Sequence, residues 1–171
     1  MPNSLLINAA ELMRRPGSER RVTLQPTVAE LGIADPRFDP EAVVEVSLRL
    51  ESLSDGIVVD GDLRAPWADS CRRCLAPAEG VVVCDVHELY QHVVTGPDAF
   101  EIVGDQVDLA RMVRENILLD APVAPLCRPD CAGLCPTCGI DLNAGTCDCV
   151  SAVADPRWDA LAELKANLPE Q

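Results

Sequence analysis

The chain has 171 residues, of which 48% are hydrophobic and 25% are charged, so it is long enough to bury a core of its own. This composition excludes collagen-like, coiled-coil and wholly disordered chains. Lysine and arginine number 14 against 28 aspartate and glutamate residues, and the resulting net charge of -14 disfavours contact with phosphate backbones and favours basic partners.

The N-terminal segment predicts a short helix from Leu5 to Arg15, with Asn8 as its N-cap and Pro16-Gly17 ending it. The densest basic run of the chain surrounds this end, and we expect it to contact nucleic acid or another acidic partner if any segment does. The alternative is an ordinary solvated flank. The four residues are Arg14, Arg15, Arg20 and Arg21.

Two segments of alternating polar and apolar residues predict a β-hairpin. Residues 44–51 and residues 58–65 both have the period of two that is typical of a strand with one solvated face, and residues 54–56 (Ser-Asp-Gly) suit a turn. A third strand, from about Val81 to Tyr90, follows the CRRC motif. We therefore expect an antiparallel sheet.

Two further helices are predicted after the strands. Apolar residues from Leu109 to Ile117 recur with helical spacing, Asp108 is the expected N-cap, and Pro122 lies just beyond the end. The last helix is expected to begin after Asp155, with Pro156 in its first turn.

These elements predict an α+β fold, in which an antiparallel sheet with flanking helices is followed by a cysteine-rich, zinc-binding segment. The sequence changes character near Cys127. We expect residues 1–126 to form the sheet and helix domain, and residues 127–171 to form a zinc-knuckle segment with a final helix that packs on the first domain as one unit.

Eight of the nine cysteines fall into four close pairs, which is typical of metal ligands. A zinc ion in a structural site takes four thiolates, and two cysteines that lie two to four positions apart can reach one ion from a single turn. Four pairs therefore predict two sites with four cysteines each. The pairs are Cys71 and Cys74, Cys127 and Cys131, Cys135 and Cys138, and Cys147 and Cys149.

The segment CPTCG, from Cys135 to Gly139, gives the strongest metal signal, and Cys147 and Cys149 follow closely enough to complete its site. The other four cysteines would join the hairpin region to the start of the cysteine-rich segment. Spacing alone leaves a second partition open, in which one zinc takes four of the six later cysteines. Cys71 and Cys74 would then be a free dithiol.

Other interpretations of the cysteines remain. Scattered buried thiols are the structural alternative for Cys135, Cys138, Cys147 and Cys149. A redox role is the alternative for Cys71 and Cys74, because Arg72 and Arg73 between them would favour a reactive thiolate. Cys84 is in phase with the apolar positions of the third strand, so we expect it to be a small core residue.

The sequence carries no positive sign of catalysis. It lacks a GxGxxG, Walker, GxSxG or HExxH motif, and no nucleophile lies beside His87 or His92. Sites made only of cysteines are normally closed and structural. Residues 127–149 contain one arginine, three aspartates and no aromatic residue, which favours a basic protein partner over RNA.

The start of the chain lacks the pattern of a secretory signal, because its arginines follow a short apolar run that Asn8 interrupts. No uncharged apolar stretch approaches the ~18 residues that cross a bilayer. We therefore expect a cytoplasmic protein, in which clustered cysteines hold metal more often than they form structural disulfides.

Three motifs together resemble the YceD-like family, which is associated with accumulation of large-subunit ribosomal RNA. The resemblance implies a non-enzymatic, cytosolic protein. In this family the gene often lies beside the gene for a small ribosomal protein of the large subunit. The motifs are CRRCL from Cys71, CRPDCAGLCPTCGIDLNAGTCDC from Cys127, and DPRW from Asp155.

The charge, the cysteines and the resemblance together suggest an acidic adaptor protein that zinc stabilises. We expect it to bind a basic ribosomal protein or an assembly intermediate, and so to support accumulation or processing of 23S rRNA. No membrane and no small-molecule substrate are expected. A redox-regulated zinc chaperone is one alternative. Direct RNA binding through the arginine-rich flank is the other.

Overall fold

The computed structural model describes residues 5–149 together with Arg157 and Leu161. The chain divides into two compact units, Met1–Cys131 and Ala132–Gln171. The division falls after Cys131, so Cys127 and Cys131 belong to the unit that contains the sheet. Packing of the C-terminal segment on the first domain stays a prediction.

The described part of the first unit consists of short and long strands with two helices. The elements in chain order are β1 (Leu6–Asn8), α1 (Ala10–Met13), β2 (Glu19–Leu24), β3 (Glu45–Ser52), β4 (Ile57–Ser70), β5 (Pro77–Gln91), β6 (Ala99–Glu101), β7 (Gln106–Asp108) and α2 (Leu109–Asp120).

The principal sheet has five strands in the order β2-β3-β4-β5-β6. Neighbouring strands are antiparallel except β5 and β6, which pair in parallel. The predicted hairpin is β3-β4, and its turn is closed by the Leu53 N–H, which donates to the Gly56 carbonyl at 2.8 Å. β1 and β7 form a separate antiparallel pair. The α+β architecture is therefore confirmed.

The core lies on the inner face of β3, β4 and β5. Alternate residues of these strands, among them Val46, Leu50, Val59 and Leu63, are fully buried, as the period of two requires. Cys84 on β5 belongs to the same core, and desolvation raises the pKa of its thiol to about 12. The prediction that it is a core residue is confirmed.

α2 covers this core with the face that the sequence predicts. Leu109, Met112, Val113 and Ile117 are fully buried. The Asp108 carboxylate accepts a hydrogen bond from the Ala110 N–H at 2.9 Å, so the predicted N-cap is also confirmed.

The helix predicted from Leu5 to Arg15 is wrong in its first half. Residues Leu6–Asn8 form β1 because they pair with β7, about a hundred positions later, and α1 is only one turn long. Pairing with a distant strand is invisible to a local helix pattern. The predicted helix after Asp155 lies outside the described residues except for Arg157 and Leu161. Neither described helix is long and apolar enough to cross a bilayer.

Candidate metal centres

The first cysteine group lies where the β4-β5 loop meets the segment that follows α2. The loop is closed by the Cys71 N–H, which donates to the Ala76 carbonyl at 2.7 Å. The Arg72 N–H donates to the Pro125 carbonyl at 2.8 Å, and the Arg73 guanidinium donates to the Cys131 carbonyl at 2.8 Å. These bonds hold two segments together that are about 50 positions apart in the sequence.

The four sulfur atoms of this group have the spacing of a tetrahedral site. The Sγ atoms of Cys71 and Cys131 are 3.8 Å apart, those of Cys74 and Cys127 are 3.5 Å apart, and all four lie within 4.8 Å of one another. Thiolates at ~2.3 Å from a tetrahedral zinc ion are ~3.8 Å from each other. A disulfide would need ~2.05 Å, and all nine cysteines, which lie within the described range, are free.

The Cys71–Leu75 loop has the backbone geometry of a metal knuckle. The Arg73 N–H points at the Cys71 Sγ at 3.4 Å, and the Leu75 N–H donates to the Cys71 carbonyl at 2.9 Å. The turn needs a left-handed residue at its fifth position, and Leu75 adopts φ = 63° there. Among the described residues it is the one non-glycine residue with a positive φ.

The second group lies within the second unit and repeats this geometry. The Sγ atoms of Cys135, Cys138, Cys147 and Cys149 lie within 4.8 Å of one another. The Thr137 N–H points at the Cys135 Sγ at 3.4 Å. Here the left-handed fifth residue is Gly139, with φ = 74°, and its N–H donates to the Cys135 carbonyl at 2.9 Å.

Asp141 and Asn143 fix the turn that follows this second knuckle. The Asp141 carboxylate accepts from the Asn143 N–H at 2.9 Å and from its side-chain amide at 2.6 Å. The Asn143 Oδ1 in turn accepts from the Ala132 N–H at 2.8 Å. The Cys135 N–H donates to the Ile140 carbonyl at 2.8 Å. The IDLN part of the motif, residues 140–143, therefore holds the backbone around the cysteines in place and does not supply metal ligands.

Backbone amides favour one thiolate in each group. Burial opposes ionisation of Cys71, but N–H groups of Cys127, Cys74 and Arg73 outweigh it and lower the pKa of this thiol to about 6. N–H groups of Cys138 and Thr137 likewise lower the pKa of Cys135 to about 6. Each group therefore presents a preformed anionic sulfur to a cation.

One further thiol of each group, Cys127 in the first and Cys149 in the second, is held in the protonated form. The Cys74 side chain and burial raise the pKa of Cys127 to about 12. The Cys138 side chain and burial raise the pKa of Cys149 to about 11. Several thiolates this close together repel each other until a cation compensates them.

All eight cysteines singled out in the sequence therefore lie in two groups of four, and each group could hold a metal ion. The structure brings Cys71 and Cys74 to Cys127 and Cys131, which is the two-site partition.

The arginine-rich segment is divided between two faces. Arg14, Arg15 and Arg20 line one groove between α1 and β2. Arg21 is the next residue of β2, and strand alternation places it on the opposite face, where it lies across from Arg49 of β3.

The sequence analysis missed Trp67, which packs against both the main core and the first cysteine group. It lies directly opposite Gly80 in the β4-β5 register, and a Cβ atom at Gly80 would be 2.9 Å from the indole ring. Gly80 therefore leaves room for the ring. Gly80 lies within β5 but one position before the predicted third strand, so local sequence patterns held no signal for this contact.

Comparison with known proteins identifies the family. The family described as "Large ribosomal RNA subunit accumulation protein YceD" matches residues 59–165, a range that begins in β4 and contains both cysteine groups.

Similar proteins occur in bacteria and plastids. An uncharacterized protein of Mycobacterium tuberculosis is 34% identical over 170 residues, which covers 94% of this chain and 81% of that protein. A chloroplastic protein of Zea mays, named "Large ribosomal RNA subunit accumulation protein YCED homolog 1", is 26% identical over 161 residues, covering 71% of this chain and 55% of that protein. No solved structure matches the chain. The length of the family match, together with the bacterial relative, shows that this chain belongs to the YceD family.

Proposed function

We propose that the protein supports accumulation or processing of large-subunit (23S) rRNA as a non-enzymatic, cytoplasmic adaptor that two zinc ions stabilise and that binds a basic ribosomal protein or an assembly intermediate. The family match over residues 59–165 is the observation that carries the link to large-subunit rRNA.

Zinc is the metal that the cysteine groups suit best. Tetrahedral sets of four thiolates hold zinc or iron–sulfur clusters, and the sulfur separations of 3.5 and 3.8 Å fit one ion with ~2.3 Å bonds. Four protein ligands leave no open position for a substrate or a reactive water molecule. Metal at these sites would therefore stabilise the fold, which supports a non-enzymatic role.

Charge on the outer face of the sheet supports a basic partner. Asp62 of β4 lies directly opposite Asp85 of β5, and like charges in such a pair repel each other. Asp85 has no ion pair among the described residues, and the Arg64 guanidinium is 4.0 Å from the Asp62 carboxylate. A cationic side chain placed between the two aspartates would relieve their repulsion.

In the neighbouring row of the same face, the acidic side chains share one guanidinium group, that of Arg49, which also lies 3.6 Å from the Glu51 carboxylate. The Arg49 guanidinium lies 3.2 Å from the Glu19 carboxylate and 3.3 Å from that of Asp60. The His87 ring contacts the other Asp60 oxygen at 2.5 Å. Asp62 and Asp85 are therefore a pair of opposed carboxylates with no cation shared between them among the described residues, in a chain whose net charge is -14.

Affinity capture from a lysate treated with ribonuclease tests the adaptor. We expect a basic ribosomal protein of the large subunit to stay bound after the RNA has been digested. Loss of every ribosomal protein on digestion would show that RNA is the contact and would overturn the adaptor. In cells that lack the protein, we expect mature 23S rRNA to fall while its precursor does not.

Native mass spectrometry with metal quantification tests the zinc sites. We expect two zinc ions per chain. A metal-free chain, or an iron–sulfur chromophore in its absorption spectrum, would contradict this assignment.

A redox-regulated chaperone is the second candidate, because the Cys74 and Cys127 sulfurs, 3.5 Å apart, could form a disulfide if an oxidant expelled the metal. Peroxide treatment distinguishes the two functions. Release of zinc together with new suppression of aggregation would favour the chaperone, whereas loss of the folded state without that activity would favour the structural role.

A further inference from the structure

A groove lies between α1, the turn after it and the start of β2. Its volume is about 880 Å³. Arg14, Arg15 and Arg20 line it together with the carboxylates of Glu11 and Glu19. The three arginines are exposed, so their guanidinium groups are open to a ligand from solvent.

Acidic partners within the described ranges do not neutralise these three arginines. Among the residues that the structure describes, the side chains of Arg14 and Arg15 make no hydrogen bond or ion pair, although the chain has 28 acidic residues. The Arg20 guanidinium donates to the Asn8 carbonyl oxygen at 3.0 Å and has no ion pair in the described part of the chain. By contrast, Arg111 is paired with Glu115 at 2.7 Å.

The groove also has a positive local balance. Of its two carboxylates, that of Glu19 is engaged by Arg49 at 3.2 Å. The three guanidinium groups of the lining therefore outnumber its two carboxylates, those of Glu11 and Glu19. Charges farther away than about 8–10 Å are largely screened at physiological salt. At contact distance, the groove attracts anions even though the whole molecule is acidic.

We propose that this groove binds the phosphate backbone of RNA. The inference deepens the proposed function, on which it rests for the identity of the polyanion. Guanidinium groups donate paired hydrogen bonds to phosphate oxygens. Most contacts between proteins and nucleic-acid backbones come from such exposed arginine side chains.

The groove fits an RNA backbone better than an acidic protein. Protein interfaces derive most of their affinity from buried aromatic and aliphatic anchors. The one aliphatic side chain in the lining is Leu12, and it is already buried in the core. No aromatic side chain lines the groove, so it offers no stacking platform for bases. Binding is therefore independent of base sequence.

The groove and the outer sheet face give the molecule two surfaces of opposite preference. RNA is attracted at Arg14, Arg15 and Arg20 and repelled at Asp62 and Asp85. A basic protein has the reverse preference. This arrangement would let one chain contact an rRNA segment and a basic ribosomal protein at the same time.

Fluorescence anisotropy tests the groove with the full-length, zinc-loaded protein and a labelled single-stranded RNA of about 20 nucleotides and mixed sequence. We expect three phosphate contacts to give a slope of log K against log salt of about -2, since each contact contributes about -0.7 for a single strand. Absence of binding by the unmodified protein at low salt would overturn the proposal.

The double variant Arg14→Gln/Arg15→Gln removes the two unpaired guanidinium groups. We expect it to change the slope to about -0.7 and to weaken binding about 20-fold at ~0.1 M salt, because two contacts are lost. The matched control is Arg21→Gln/Arg64→Gln. It lowers the charge equally, but both of its side chains lie outside the groove, so we expect its slope and affinity to stay close to those of the unmodified protein.

Two results would contradict the assignment. An equal loss of affinity in both double variants would mean that net charge, not the groove, attracts RNA. Tighter binding of a polyglutamate peptide than of the RNA would make the groove a site for acidic protein. The RNA-binding groove and the adaptor function can fail independently. If the protein keeps its ribosomal-protein partner after ribonuclease treatment but binds no RNA, only the RNA-binding groove is overturned.

Discussion

Leu75 and Gly139 hold the same position in two separate CxxC loops. Both residues have left-handed backbones, with φ = 63° and 74°, and each donates its N–H to the carbonyl of the first cysteine of its loop at 2.9 Å. Two segments of unrelated sequence thus adopt one turn around a sulfur atom. The turn suits glycine, and the first loop carries leucine instead.

We expect Leu75→Gly to stabilise the zinc-loaded protein by roughly 0.5–1 kcal/mol. The Cβ atom of a leucine is sterically strained in the left-handed region, and glycine has no Cβ atom. Leu75 is 67% exposed, so little burial is lost with its side chain. Urea unfolding followed by circular dichroism measures the change.

Gly139→Ala is the converse variant and should destabilise the second loop by roughly 1 kcal/mol, because it introduces a Cβ atom at a positive φ. Nothing lies within 4 Å of the position that this atom would take, so the effect isolates the backbone. A loss of stability on Leu75→Gly would refute the equivalence of the two turns.

Substitution of single cysteines should remove one metal ion at a time. We expect Cys127→Ser and Cys149→Ser each to reduce the zinc content from two ions to one. Cys127→Ser should also lower the free energy of unfolding of the sheet unit by several kcal/mol, because the first group joins the β4-β5 loop to the chain after α2. Native mass spectrometry and urea unfolding give the two readouts.

Cys84→Ala is the control for these variants. Cys84 lies in the core, and its thiol donates to the Asn116 carbonyl at 3.6 Å, away from both groups. We expect it to lower stability through lost packing and to leave two ions bound. Two ions retained in Cys127→Ser would contradict the assignment of the first group.

Zinc affinity should fall steeply as the pH falls. The raised pKa values of Cys74 and Cys127, and of Cys147 and Cys149, mean that each ion displaces at least two protons near neutral pH. Each displaced proton contributes a factor of ten per pH unit, so the apparent Kd should rise about 100-fold for each unit of acidification. Competition with a chromogenic chelator measures this dependence.

Below the pKa of about 6 for Cys71 and Cys135, these two thiolates also become protonated, and the dependence should steepen further. Metal release is therefore favoured by acid and opposed by alkali. An affinity that is independent of pH would mean that the thiols are not the ligands.

Local patterns predicted much of the sheet and α2. β3 alternates strictly and β4 does so over part of its length because one face is buried, and α2 combines an apolar stripe with the Asp108 cap. The cysteine pairs were also visible in the sequence, since each CxxC loop is a local structure that needs two residues on one turn.

Strands and side-chain positions that depend on pairing with distant segments could not be predicted from local sequence patterns. β2 was missed because only Val22 of its six residues is buried, so it shows no alternation. β1 depends on pairing with β7. The four arginines looked like one basic run, but the strand conformation of β2 sends Arg20 and Arg21 to opposite faces.

The pair formed by Asp62 and Asp85 links stability to partner binding. Asp85→Asn should raise the free energy of unfolding by roughly 0.5 kcal/mol at low salt, because it removes repulsion between opposed carboxylates. The same variant should retain less of the basic ribosomal protein after ribonuclease treatment. Glu79→Gln is the matched control, since Glu79 lies opposite Ala68 and loses no repulsion. An equal gain of stability in both variants would show that net charge, not this pair, is responsible. High salt should abolish the difference between them, because it screens exposed charges.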